Sequence, residues 1–165
     1  MLQTPPINWQ HALDQALPIF GHRNWIVVAD SAYPEQVSPG ITTVQADGQA
    51  FDVIGAVLRR IDAARHVRAH VFLDAEMRFL DDTDAPGATE FRDRLFALLG
   101  PHLPCEEPHD EIISMLDEAG QKFSVLLIKT QSRLPYTSVF FELACGYWSD
   151  EAEQRLRDRM AAPTV

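Results

Sequence analysis

Phe20-Gly21-His22-Arg23-Asn24-Trp25-Ile26-Val27-Val28-Ala29-Asp30-Ser31-Ala32-Tyr33-Pro34 is the stretch that decides how the chain folds. A glycine turn and a histidine lead into five apolar residues, and an aspartate and a Tyr-Pro loop follow. The run Trp25 to Ala29 has strand length and no polar alternation, which predicts a strand covered on both faces and not a surface strand. A covered strand needs helices on either side of its sheet. Its two ends carry titratable groups, His22 and Asp30, and the ends of buried strands are where α/β proteins often place binding and chemistry.

Reading outward, Asn8 is positioned to cap a helix over Trp9 to Leu17, whose Trp9, Ala12, Leu13, Ala16 and Leu17 fall at helical spacing. Pro18 and Gly21 end it. Downstream, Tyr33 to Gly40 reads as a loop, Ile41 to Val44 as a short strand and Ala46-Asp47-Gly48 as a turn. Phe51, Ile54, Val57, Leu58 and Ile61 share one face of an amphipathic helix. Ala69 to Leu73 is a second buried strand, followed by an acidic loop through Asp81, Asp82 and Asp84.

Helices are expected over Thr89 to Leu99 and from near Asp110 to Ala119, with strands over Ser124 to Ile128 and Val139 to Ala144. A last helix, about 149–160, begins after Ser149 as a cap and places Asp150 and Glu151 where the helix dipole favours anions. Helices alternating with apolar strands predict an α/β fold: one domain over 1–165, a layered sheet of about four to six strands flanked by helices.

Composition narrows the class. With 165 residues, 46% of them hydrophobic and 23% charged, the chain can bury one core and does not have a disordered composition. No run approaches the roughly 18 apolar residues of a membrane span, and no basic segment precedes an apolar block at the start, so neither a membrane partner nor a secretory signal is expected and the default location is cytoplasmic. A net charge of −10 disfavours nucleic acid, whose phosphates require clustered Lys and Arg. Two cysteines, Cys105 and Cys145, do not make a disulfide framework.

Several site signatures are missing: a Gly-rich phosphate loop, Gly-x-Gly-x-x-Gly, Gly-x-Ser-x-Gly and paired Cys-x-x-Cys. His66 and His70 stand four apart, as two metal ligands on a helix do, but they fall where helix gives way to strand, so no metal site is expected. Cys145 in an apolar run reads as a packing residue. What remains is His22, Asp30, His109 and the Tyr136-Thr137-Ser138 loop. Each also has a structural explanation, since a histidine can cap helix carbonyls, Asp30 can close the turn over Ser31 to Pro34, and Tyr136 can anchor its loop.

Gly21-His22, then Asp30 eight positions on behind Ile26-Val27-Val28-Ala29, with Tyr33-Pro34, resembles the start of the ribose pyranase and fucose mutarotase family. Gln45-Ala46-Asp47-Gly48 is similar to an Ala-Asp-Gly step of the fucose branch. Leu127-Ile128-Lys129-Thr130 through Pro135-Tyr136-Thr137-Ser138-Val139 is similar in spacing to the C-terminal loop and strand of the ribose branch. The resemblance covers Leu17 to Tyr147.

The resemblance implies an isomerase of free monosaccharides that opens and recloses the sugar ring, with no cofactor and no metal. It implies His22 as proton donor, and Asp30, His109, Tyr136 and Ser138 as sugar-binding residues. Ser138 stands where the family usually has asparagine, and a single hydroxyl on a shorter stem offers fewer hydrogen bonds than a carboxamide. Trp148 to Val165 extends past the family's usual end. The resemblance also implies a ring-shaped homo-oligomer. A sugar-binding or regulatory module that has lost turnover is the alternative.

One geometric condition follows from the opening stretch. Five extended steps of about 3.3 Å put roughly 17 Å between Trp25 and Asp30, with His22 further back. The two residues can serve one site if Gly21 folds His22 back along the strand, or if two subunits supply them.

Overall fold

The computed structural model describes residues 8–162. Its first helix, α1 (Trp9–Ala16), starts under the expected cap, the Asn8 side chain accepting from the Gln10 amide at 2.9 Å. Strands β1 (Trp25–Ala29) and β2 (Ile41–Gln45) follow, then α2 (Ala50–Ala63), β3 (Val67–Asp74) and a short 3-10 turn over Ala75–Phe79. The second half contains α3 (Ala88–Leu99), β4 (Cys105–Glu107), α4 (His109–Lys122), β5 (Val125–Lys129), β6 (Val139–Cys145) and α5 (Asp150–Ala161).

The strands form one six-stranded sheet in the order β2-β5-β1-β6-β3-β4. Strand β6 runs antiparallel to both neighbours, and the remaining pairs are parallel. Five strands therefore end along one edge of the sheet, where β6 begins. This edge gathers the residue after each strand into one row.

The reading of β1 as doubly covered holds residue by residue. Ile26 and Val28 join a core with α1, α2 and α3, whereas Trp25, Val27 and Ala29 join a second core with Ile112 and Leu116 of α4. All five are at most 3% exposed. Strand β6 divides in the same way, Phe141 facing the first core and Phe140 the second, both fully buried. Burying an aromatic of this size contributes roughly 1.5–3 kcal/mol, so loss of either ring would weaken one layer of the domain.

Two elements depart from expectation. Cys105-Glu106-Glu107, to which the sequence assigns no element, is edge strand β4, held by register with Phe72, Leu73 and Asp74 of β3. It has no apolar run because its pairing is made by backbone groups and its side chains stay at the surface. The segment after β3 is a 3-10 turn that buries Met77, where the sequence suggested only loop. Helix α5 has the Ser149 cap, with Ala152 N donating to the serine hydroxyl at 3.1 Å, but buries none of its residues.

Gly40 fixes the approach of β2 to α4. A Cβ at Gly40 would collide with the Phe123 carbonyl oxygen and lie 2.6 Å from that of Gly120, so only glycine lets this turn close against the helix end.

Candidate functional site

Three of the five residues singled out by sequence meet at the sheet edge where the parallel strands end. Asp30 follows β1, His109 opens α4 directly after β4, and Tyr136 lies in the loop between β5 and β6. Together with Tyr33, Pro34 and Arg133 they line a cavity of about 450 Å³. That size is within the range of small-molecule sites.

The loops around the cavity are tied down. Ser31 N donates to the Ser132 carbonyl at 2.8 Å, and Thr130 donates both its amide, at 2.8 Å, and its hydroxyl, at 2.9 Å, to the Ala29 carbonyl. These bonds join the segment after β1 to the segment after β5. Asp30 accepts from the Ala32 amide at 2.8 Å through Oδ1, closing the turn that its position suggested. Tyr136 has φ of 55°, a left-handed conformation unusual for a bulky residue and one that is often found at binding sites.

His109 is the most closely held group of the site. Its backbone N–H donates to both carboxylate oxygens of Glu76, each at 3.1 Å, so a residue from the distant 3-10 turn caps α4. A carboxylate is well placed there, against the positive end of the helix dipole. The ring Nδ1 lies 3.0 Å from Oδ1 of Asp74, the last residue of β3. Tyr136 and Tyr33 stand edge-on to the imidazole, with ring centroids 5.5 and 6.3 Å away.

Asp74 is 1% exposed, and its Oδ2 has no partner among the described residues. Burial pushes its carboxyl up from an ordinary 3.8 to about 6; the bond and charge of His109 pull the other way, and the Glu76 and Asp30 charges add to the rise. Tyr33 is buried too, and its hydroxyl donates to Gln36 Oε1 at 2.9 Å. Burial, then the Asp74 and Asp30 charges, push its phenol well above the usual range, so it stays neutral. The sequence did not single out Asp74, Glu76 or Tyr33 for the site.

Ser138 is near the site without facing the cavity. It is fully buried, and its hydroxyl accepts from the Asp30 amide at 3.3 Å, so in this chain it steadies Asp30 where the resemblance implied a contact with sugar. His22 is at the opposite end of β1. Gly21 N donates to Asn24 Oδ1 at 2.7 Å, and Arg23 N donates to the Leu143 carbonyl at 2.9 Å, so the turn closes beside the far end of β6. Folding back of His22 toward Asp30 is thereby excluded. The imidazole is exposed, and its Nε2 accepts from Arg23 Nε at 3.1 Å.

The other candidates sort out structurally. His66 Nε2 is within 3.1 Å of the Leu17 carbonyl and 3.0 Å of the Phe20 carbonyl, whereas His70 lies within β3 beside Arg68, so the two share no helical face. Among the described residues, no group of three His, Cys, Asp or Glu side chains is arranged to hold a metal. Two other hollows, of about 760 and 380 Å³, contain neither histidine nor tyrosine. The Asp30 cavity, by contrast, is lined by one histidine and two tyrosines. None of the helices described is long and apolar enough to cross a membrane.

No protein-family model and no curated protein matches the sequence. Solved structures do match. Bacillus subtilis RbsD complexed with D-ribose aligns at 18% identity and a TM-score of 0.59, covering 87% of this chain and 98% of that one. The fucose mutarotase of Streptococcus pneumoniae in complex with L-fucose aligns at 15% identity and a TM-score of 0.56, with the same coverage. FucU from Bifidobacterium longum aligns at 15% identity and a TM-score of 0.52, covering 81% of this chain and 94% of that one. The chain thus has the RbsD/FucU-like fold, a mixed α/β sheet whose C-terminal strand edge carries the cavity of Asp30, His109 and Tyr136.

Proposed function

We propose that the protein is a monosaccharide mutarotase or pyranase that opens and recloses the sugar ring by histidine acid–base catalysis, without a cofactor. The observation that carries this reading is the convergence of Asp30, His109 and Tyr136 on one cavity, in a fold shared with structures that hold D-ribose and L-fucose. A cyclic hemiacetal opens when its anomeric hydroxyl loses a proton and its ring oxygen gains one. The carbonyl then turns and the ring closes on either face. Imidazole suits both steps because its unperturbed pKa of about 6.5 leaves both protonation forms accessible near neutrality.

In this scheme His109 works at one of the two sugar oxygens and Asp30 accepts hydrogen bonds from sugar hydroxyls. Tyr136 covers a face of the ring and offers its phenol. The second acid–base group is His22, the proton donor that the family resemblance implies. Since His22 lies at the other end of β1, it comes from a neighbouring copy, and a homo-oligomer completes the site.

A sugar-binding module without turnover is the second reading. The observation in its favour is that, among the described residues, a single chain presents only one histidine to the cavity. Saturation-transfer NMR on a panel of pentoses, hexoses and 6-deoxyhexoses separates the two. Anomer or pyranose–furanose exchange well above the buffer rate for at least one sugar is the expected result. Binding with exchange at the buffer rate selects the module, and neither binding nor exchange across the panel defeats both readings.

A further inference from the structure

Asp74 has no part in the scheme above, yet it has a costly environment. It is almost wholly buried, one carboxylate oxygen meets His109, and the other meets nothing among the described residues. A buried carboxylate with an unpaired oxygen is a poor way to stabilise a fold, because the desolvation of that oxygen is not recovered. Nearby cations do not relieve it. Arg92 donates to the Met77 and Leu80 carbonyls, and Arg78 is paired with Glu106.

We infer that Asp74 is a positioning residue that holds the His109 ring as its Nδ1–H tautomer and leaves Nε2 for the sugar. An ionised carboxylate only accepts, so the nitrogen 3.0 Å from Oδ1 carries the hydrogen. Nε2 has no protein partner among the described residues, while His109 lines the cavity. The remaining freedom of the ring is limited by the two tyrosines edge-on to it and by the Glu76 bond that fixes its backbone.

The proton balance follows from this tautomer. On ring opening, Nε2 takes the proton of the anomeric hydroxyl, the O–H electron pair forms the carbonyl, and the ring C–O bond breaks. The released ring oxygen takes its proton from the second acid group. The imidazolium formed at His109 then faces the Asp74 carboxylate, as in other histidine–carboxylate couples; on reclosure it gives its proton to the carbonyl oxygen, which becomes the new anomeric hydroxyl, while the attacking hydroxyl returns its proton to the second acid group.

The chemical step rests on the sugar-exchange reading, but the tautomer can be measured without it. Long-range proton–nitrogen NMR of the His109 ring in the unmodified protein, at pH 7.5 to 8, is expected to show Nδ1 protonated and Nε2 bare. The Asp74→Asn variant is expected to lose that preference and to reduce kcat for anomer exchange by about 10²-fold with KM changed less than about threefold. An Nε2–H tautomer in the unmodified protein overturns the assignment, as does a variant that keeps both tautomer and kcat. If no sugar is turned over but the tautomer changes as stated, the mutarotase reading fails and the positioning role of Asp74 stands.

Discussion

The two ends of β1 make opposite uses of a histidine. At the cavity end, His109 is held through its ring by Asp74, through its backbone by Glu76, and between two tyrosines. At the other end, His22 sits exposed on a turn with one side-chain partner, Arg23. Both ends put a non-glycine residue in a left-handed conformation, Arg23 with φ of 73° and Tyr136 with φ of 55°. The difference is one of preorganisation. Fixed groups reduce the ordering that a reaction requires, whereas the His22 imidazole is exposed and bonded to one neighbouring side chain.

Substitution of His109 tests the held end most severely. His109→Ala is expected to reduce anomer exchange by about 10²–10⁴-fold, the usual contribution of a positioned acid–base group. His22→Ala is expected to cause a loss of similar size even though His22 lies outside the cavity of its own chain. Saturation-transfer NMR on the two variants measures both. Full activity in His22→Ala would break the comparison and leave His109 as the sole acid–base histidine.

Mixing the two inactive variants asks whether the ends meet across copies. If each site takes His109 from one chain and His22 from another, random assembly at equal amounts restores both histidines in about a quarter of the sites. Activity recovered after unfolding and refolding the variants together, but absent when they are only mixed as folded assemblies, is the expected pattern. A fully active monomer, or no recovery on co-refolding, argues against a shared site.

Much of this arrangement was legible in the chain, for identifiable reasons. The unbroken run Trp25 to Ala29 placed a doubly covered strand, and the residue after it, Asp30, proved to line the cavity. The run Val71-Phe72-Leu73 ends in Asp74 by the same logic, so the signal that singled out Asp30 was present there as well. It was hidden by Arg68 and His70, which interrupt the first half of β3 because that part of the sheet faces half-open surface. Glu76 and β4 could not be read locally. The first caps a helix 33 positions away, and the second is specified by the backbone of its partner. Ser138 shows a different limit: sequence order placed it beside Asp30, but only the fold shows that its hydroxyl is spent on the Asp30 amide.

The smallest of these effects concerns stability. Because the folded value for Asp74, about 6, lies above its ordinary 3.8, folding favours the protonated acid. Its stabilising contribution is complete below 3.8 and is lost as pH rises through about 6. An asparagine carboxamide in its place has no proton to lose. The Asp74→Asn protein should therefore gain stability relative to the parent by roughly 2 kcal/mol between about pH 4 and pH 8, a gain measurable by urea unfolding at each pH. His109, Glu76, Asp30 and Tyr33 face this carboxyl, and Arg78, Arg92 and Glu106 line the hollow on its other side; all are present in both proteins and largely cancel. Parallel stability curves would mean that Asp74 is ionised without cost. The held end of β1 would then be held no more expensively than the free one, and the unpaired oxygen would need a partner from outside this chain.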